Sequence, residues 1–148
     1  MSWLNNHEVT RFSELRHRRH TRKDAEAYFR SFDHYTKHLW AIFDKEAVHI
    51  GNISAHRDIP NATADVGILL GAREDYGRGF GTEAWQAICA WLFATGIRKI
   101  TAGTMAANQP MRRVFEKCGM VVEGTRKAQF LLDGHPEDLI QVALFRAP

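Results

Sequence analysis

Asp75-Tyr76-Gly77-Arg78-Gly79-Phe80-Gly81-Thr82 is the stretch on which the reading of this chain turns. It stands between a strand-like run, Ala62 to Leu70, and the most strongly patterned helix of the sequence, Gly81 to Thr95. Three glycines at alternate positions let the backbone come close to a ligand and point successive N–H groups at one place. The helix behind them adds unpaired donors and the positive end of its dipole, and Arg78 adds charge. A phosphate or pyrophosphate suits that arrangement, although Gly-x-Gly-x-Gly alone also describes an ordinary structural turn. Two phosphate-binding classes fail at once. A Walker loop needs Lys and then Ser or Thr after its last glycine, and Gly81 is followed by Thr82-Glu83. The dinucleotide fingerprint needs Gly at position 82 and an acid about 20 residues on, where the chain has Thr82 and Ala102-Gly103-Thr104.

Outward from the glycines, the pattern predicts an α+β domain with a mixed α/β sheet. Upstream, Leu39 to Phe43, Ala47 to Arg57 and Ala62 to Leu70 read as three strands of an antiparallel meander, parted by Asp44-Lys45-Glu46 and Asp58-Ile59-Pro60-Asn61. Gly51, inside the second, marks a bulge or a close approach. Downstream, Ala84, Trp85, Ile88, Trp91 and Leu92 form the stripe of the long helix, and Gly96 closes it. Ile97 to Met105 completes a βαβ unit. Asn108 caps a short helix that carries Pro110 in its first turn and ends at Gly119. Met120 to Leu132 and Asp138 to Phe145 form a closing hairpin, its turn around Asp133-Gly134 lengthened by Pro136. The first 35 residues are polar and helical. Glu8 to Phe12 reads as a short helix after Asn5-Asn6, and Thr21-Arg22-Lys23-Asp24 has capping-box form. The spacing of Ala25, Tyr28, Phe29 and Phe32 predicts a helix with one buried face.

Composition bounds the function classes. The chain has 148 residues, 45% hydrophobic and 25% charged, which fits one domain over residues 1–148 and excludes a disordered or collagen-like chain. No apolar run reaches the roughly 18 to 20 residues of a membrane helix. The opening MSWLNNHEVTRF lacks a basic-then-apolar leader, so a cytoplasmic protein with reduced Cys89 and Cys118 is expected. The net charge of +3 suits many anionic partners.

With these motifs in order, the stretch from Ala62 to Gly119 resembles the Gcn5-related N-acetyltransferase superfamily, which moves an acetyl group from acetyl-CoA to an amine. The superfamily's Gln/Arg-x-x-Gly-x-Gly/Ala loop aligns on Tyr76 to Gly81, and its Asn before a short helix aligns on Asn108. Glu123-Gly124-x-Arg126, Gly134 and Asp138 look like the branch containing ribosomal-protein N-terminal alanine acetyltransferases and several amino-sugar acetyltransferases. The likeness runs from about Leu39 to Arg146. It implies an acyl-CoA N-acyltransferase-like domain that binds acetyl-CoA as acyl donor, needs no metal, and transfers directly to a primary amine on a small molecule, such as an amino sugar, or on a peptide N-terminus.

Residue by residue, the resemblance implies that the main chain of Gly77, Arg78, Gly79, Phe80, Gly81 and Thr82 cradles the CoA pyrophosphate. Ile68, Leu69 and Leu70 would hold the pantetheine arm, with an N–H of Leu69 or Leu70 stabilising the oxyanion. Asn108 would orient CoA and an ordered water, and Arg113, with Arg112 beside it, would reach the CoA phosphates. Asp65, sharing a strand face with Gly67 and Leu69, is the first candidate base; Glu74 and Glu123 follow. Three positions depart from the family pattern: Tyr76 replaces Gln/Arg, Phe115 replaces the Tyr that serves many relatives as acid, and only Met1 to Leu4 stands where the family opens with a strand. A short or missing first strand leaves a sheet edge at which a homodimer would form. The competing class is a non-catalytic acyl-CoA-binding regulatory module.

Other constellations carry less. Arg16 to Lys23 is dense in cations but lacks interleaved aromatics, so it reads as a solvated face bordering an anionic acceptor rather than as a nucleic-acid site. His34 and His38 have helical ligand spacing without a completing Cys, and no metal site is expected. Trp40, Trp85 and Trp91 read as core.

Overall fold

In a computed structural model describing residues 2–71 and 75–148, six strands form one sheet in the order β1-β2-β3-β4-β6-β5. The strands are β1 (Lys37–Phe43), β2 (His49–Asp58), β3 (Thr63–Leu70), β4 (Lys99–Met105), β5 (Val121–Leu132) and β6 (His135–Phe145). Among the described residues four helices accompany them: α1 (His7–Thr10), α2 (Arg22–Arg30), α3 (Phe80–Ala94) and α4 (Gln109–Lys117). Short 3-10 turns at Trp3–Asn5 and Glu14–His17 complete the N-terminal region, which contains no strand ahead of Lys37 among the described residues. The meander, the βαβ unit, the capped short helix and the closing hairpin all follow the sequence pattern.

Alternation along the strands sorts the sheet into two faces. One carries Ile53, Ala55, Ala64, Val66 and Ile100, which join Trp85, Cys89 and Leu92 of α3 in the core. Leu92 is fully buried, and truncating it to Ala would cost about 2–5 kcal/mol. Gly51 marks a close approach, as its spacing suggested: a Cβ there would stand 2.5 Å from the Leu69 carbonyl oxygen.

Strand β3 is paired along its whole length with β2, but its parallel pairing with β4 covers only Thr63, Ala64 and Asp65. Beyond that point β4 stays with β6 as far as Met105. The two central strands therefore part at Asp65, leaving one edge of Val66–Leu70 without a neighbouring strand.

Three expectations change. The stripe of α2 is not a buried face: Phe32 is buried, whereas Tyr28 and Phe29 are 54% and 65% exposed, because this helix roofs a cleft instead of lying on the sheet. Trp85 is the core tryptophan, while Trp91 sits on the outside of α3 against Trp40 and His38. The last hairpin turn is the two-residue Asp133-Gly134, both at positive φ, and Pro136 lies within β6 opposite Leu131. Strand β4 reaches β6 only at Leu139, so the missing N–H of Pro136 falls where that edge has no partner strand.

Candidate active site

At the glycine turn, Gly77 and Gly79 have φ of 75° and 90°, and a Cβ built on either meets no protein atom within 4 Å. These glycines serve backbone conformation, not packing. Gly79 is the N-cap of α3 and offers no capping side chain. The first intrahelical bond runs from the Glu83 N–H to the Gly79 carbonyl, so the N–H groups of Phe80, Gly81 and Thr82 have no acceptor within the helix. Arg78 is stationed beside them by the buried Asp75, at 3.4 Å, and by the Phe80 ring, whose centroid is 4.9 Å from the guanidinium carbon. The Tyr76 hydroxyl donates to the Leu70 carbonyl, tying the turn back to the end of β3. That anchoring gives Tyr76 a job at the position where relatives carry Gln or Arg.

The parity of β3 decides which of its amides face the open edge. The Gly71 N–H donates to Ile50 on the β2 side, whereas the Ala62 carbonyl accepts from Arg98 on the β4 side. Successive residues of a strand present their backbone groups to opposite edges. Ile68 and Leu70 therefore aim N–H and C=O at the parted edge, and Leu69 aims its main chain at β2. Of the two amides considered for the oxyanion, only that of Leu70 points the required way. Leu69 contributes its side chain instead.

On the face opposite α3, a cleft of about 810 Å³ runs between the sheet and the N-terminal region. Leu39, Asn52, Ser54, Gly67 and Leu69 form its floor, while Trp3, Tyr28 and Phe29 form its roof and end. The cross-strand register explains the floor: Ser54 lies between Leu39 and Gly67, and Asn52 between Ala41 and Leu69. Burial of the Tyr28 hydroxyl raises its pKa, against the opposing pull of Ser54. The sequence carried a signal for this wall in the polar alternation Asn52, Ser54, His56 along β2. The aromatic roof carried none.

Asp65 is the next residue on the Gly67–Leu69 face, at the point where β3 and β4 part. Its carboxylate accepts from the Thr101 hydroxyl at 2.9 Å and faces His56 across the strand pair. Crowding by protein raises its pKa above the usual carboxylate range, against the opposing pull of Thr101 and His56. Glu123, on outer strand β5, is paired with Lys99 at 2.6 Å, three strands away from β3. Glu74 lies outside the described residues.

Asn108 caps α4 by accepting from the Met111 N–H and donates its amide to the buried Thr104 hydroxyl at 3.0 Å. Each end keeps capacity for one further bond. Arg113 is exposed on α4, and Arg112 donates to the Ala106 carbonyl. Phe115 is a core residue, edge-on to Trp85. Helix α4 nevertheless abuts the cradle, with Val114 3.7 Å from a Cβ at Gly81 and the Cys118 sulfur 3.9 Å from the Thr82 carbonyl oxygen. Neither thiol is poised as a nucleophile. Burial pushes Cys89 up to about 12 and raises Cys118 as well. Among the described residues no three His, Cys, Asp or Glu side chains group to hold a metal, and no helix is long and apolar enough to cross a membrane.

Comparison with known proteins agrees with this fold. The profile of the Acetyltransferase (GNAT) domain matches residues 1–121. The fold is similar to that of spermidine N-acetyltransferase from Vibrio cholerae, solved in complex with CoA and spermine, with a TM-score of 0.85 and 18% identity over 97% of this chain and 85% of that one. It is also similar to a GNAT-family acetyltransferase from Bacillus anthracis, with a TM-score of 0.80 and 21% identity over 97% of this chain and 85% of that one. No curated protein matches the sequence significantly.

Proposed function

The chain belongs to the acetyltransferase (GNAT) family and is an acetyl-CoA-dependent enzyme that acetylates an amine; from that premise we propose a cytoplasmic enzyme that acetylates a primary amine of the peptide N-terminus or amino-sugar kind. The parting of β3 and β4 after Asp65, beside a cleft lined by Gly67, Ile68 and Leu69, carries this reading, because it offers a thioester an open backbone edge next to room for an acceptor. Acetyl-CoA supplies the activated acyl group. The protein's part is to grip, orient and move protons.

The amides of Phe80, Gly81 and Thr82, with Arg78 beside them, hold the pyrophosphate at the positive end of α3. The open-edge groups of Ile68 and Leu70 take the pantetheine arm, and the Leu70 N–H stabilises charge on the carbonyl oxygen under attack. Arg113 meets an outer phosphate of CoA. Asn108 sets the start of α4 and uses its remaining donor toward the coenzyme.

An acceptor amine is mostly protonated at neutral pH. Asp65 stands five residues before Leu70 on the same extended strand, about 16 Å away along β3, so it receives that proton through a chain of waters along the Gly67–Leu69 face, and its raised pKa makes it a better proton acceptor than an ordinary surface carboxylate. Attack is direct: with both thiols shifted upward, neither cysteine provides the thiolate that an acyl-enzyme would need. The CoA thiol, of moderate pKa, leaves as thiolate without an acid from Phe115.

The cleft selects against a polycation such as the spermine of the Vibrio structure. Among the described residues its one acidic wall residue, Asp24, is already engaged by Thr21 in the capping box of α2, and Arg18, His20 and His49 line the same space. An amine attached to an apolar or anionic body matches those walls better. Calorimetry with acetyl-CoA, followed by thiol release over a panel of amines, tests the reading. Tight donor binding with turnover of a peptide α-amine or amino sugar supports it, and turnover confined to polyamines overturns the acceptor assignment.

A further inference from the structure

A second cavity, of about 450 Å³, lies where the Trp3–Asn5 turn, α1 and the Glu14–His17 turn meet. It shares Leu4, Leu15 and Arg18 with the cleft, so the two compartments adjoin. Among the described residues its walls include Arg16, Arg18 and Arg19 and no carboxylate. Three arginines in one wall are costly to hold together without a counter-charge, and their partners show how far each is neutralised.

Arg16 is a strut. Its side chain is 8% exposed and donates to Glu14 and to the carbonyls of Ser13 and Leu131. Among the described residues Arg18 meets only Asp24, loosely at 3.5 Å, with its side chain 66% exposed. Arg19 has no ion pair or hydrogen bond among the described residues. The segment presenting them is rigidly held: the Asn5 amide bonds both the N–H and the carbonyl of His20, and the buried His20 ring bonds the Leu15 carbonyl at 2.8 Å. Two available guanidinium groups on a fixed loop, beside an amine-sized cleft, form a prearranged anion receptor.

We propose that this cavity binds a phosphoryl group carried by the acceptor, while the acceptor's amine lies in the adjoining cleft. Two planar forks exceed what a single carboxylate uses and match the several oxygens of a phosphoryl or diphosphoryl group. The assignment rests on the reading of the cleft as the acceptor site, and it favours phosphorylated or nucleotide-linked amino sugars over plain peptide α-amines.

The test keeps the two readings apart by filling the glycine turn first. Acetyl-CoA is titrated into wild type, Arg19→Gln and the Arg18→Gln/Arg19→Gln double variant; its affinity is expected to be equal in all three. Failure of acetyl-CoA to bind wild type would overturn the donor assignment, not this one. The acetyl-CoA-saturated proteins are then titrated with inorganic pyrophosphate and with uridine diphosphate. Wild type is expected to bind both, with affinity falling about tenfold in Arg19→Gln and further in the double variant, at an unchanged melting temperature. Inhibition by pyrophosphate is expected to be competitive with the acceptor amine. Binding that is absent from wild type, or that survives in the double variant, would overturn the proposal, as would inhibition that is not competitive with the amine.

Discussion

Helices α3 and α4 begin in opposite ways. Asn108 finishes the N-terminus of α4 from within the chain: its side chain caps the Met111 N–H, and Pro110 in the first turn has no N–H to satisfy. Gly79 begins α3 with φ of 90°, no capping side chain and no protein atom near the place where a Cβ would stand. One helix start is completed by its own sequence; the other has no side-chain cap, and in the proposed reading the coenzyme's pyrophosphate completes it. Replacing Gly79 by Val tests that difference most severely. A β-branched residue in the left-handed region costs about 1–2 kcal/mol of stability. Displacing the turn so that two charge-assisted bonds are lost weakens acetyl-CoA binding by about 10³-fold. Calorimetry beside a thermal melt separates the two effects, and near-normal binding would return Gly79 to the class of structural turns.

Asp65→Asn sharpens the contrast by leaving the glycine turn intact while removing the proposed base. The expected result is unchanged acetyl-CoA affinity and a kcat lowered about 10²-fold. The pH profile gives the sign independently. A protonated Asp65 cannot accept a proton, so kcat/KM with the amine rises as pH passes upward through its pKa, which protein crowding places above the usual carboxylate range. That acidic limb disappears in Asp65→Asn. A limb that persists unchanged assigns the base elsewhere.

How legible was this in the sequence? The glycine turn, the helix behind it and the Thr21–Asp24 capping box stand out because each is a local signal: φ preference, 3.6-residue periodicity, a side chain reaching its own helix end. What stayed hidden depends on neighbours brought from elsewhere in the chain. Alternation placed Asp65 with Gly67 and Leu69 on one face, but a face does not reveal an edge. Choosing Leu70 over Leu69 required the β2 and β4 registers. Thr101 and Thr104 hold Asp65 and Asn108 only because β4 lies beside both. Tyr28 and Phe29 have the spacing of a buried stripe, and the same spacing serves equally well to roof a cleft.

Asn108→Ala probes the opposite member of the pair. Loss of the cap, together with the Thr104 hydroxyl left without its partner, destabilises the protein by about 1–2 kcal/mol. Acetyl-CoA affinity falls by no more than about tenfold, the worth of one hydrogen bond. A variant that melts normally yet no longer binds the donor would place Asn108 with the ligand instead of with the fold.

The smallest effect is expected at Gly71, a glycine of a different kind from Gly79. A Cβ there would fall inside the Trp3 indole, so Gly71 is small because another side chain needs the space. Trp3 in turn meets the His49 ring edge-on at 4.9 Å and closes one end of the cleft. Gly71→Ala therefore displaces the cleft wall without touching the α3 cradle. It should raise the acceptor KM about fivefold by loosening the fit of the amine, shift tryptophan fluorescence, and leave acetyl-CoA affinity unchanged. Restoring the space with Trp3→Leu in the same chain should remove the steric conflict and return part of the thermal stability. If Gly71→Ala instead weakens donor binding as much as Gly79→Val does, the two glycines act as one unit, and the division between a cradle for the coenzyme and a packed wall for the acceptor fails.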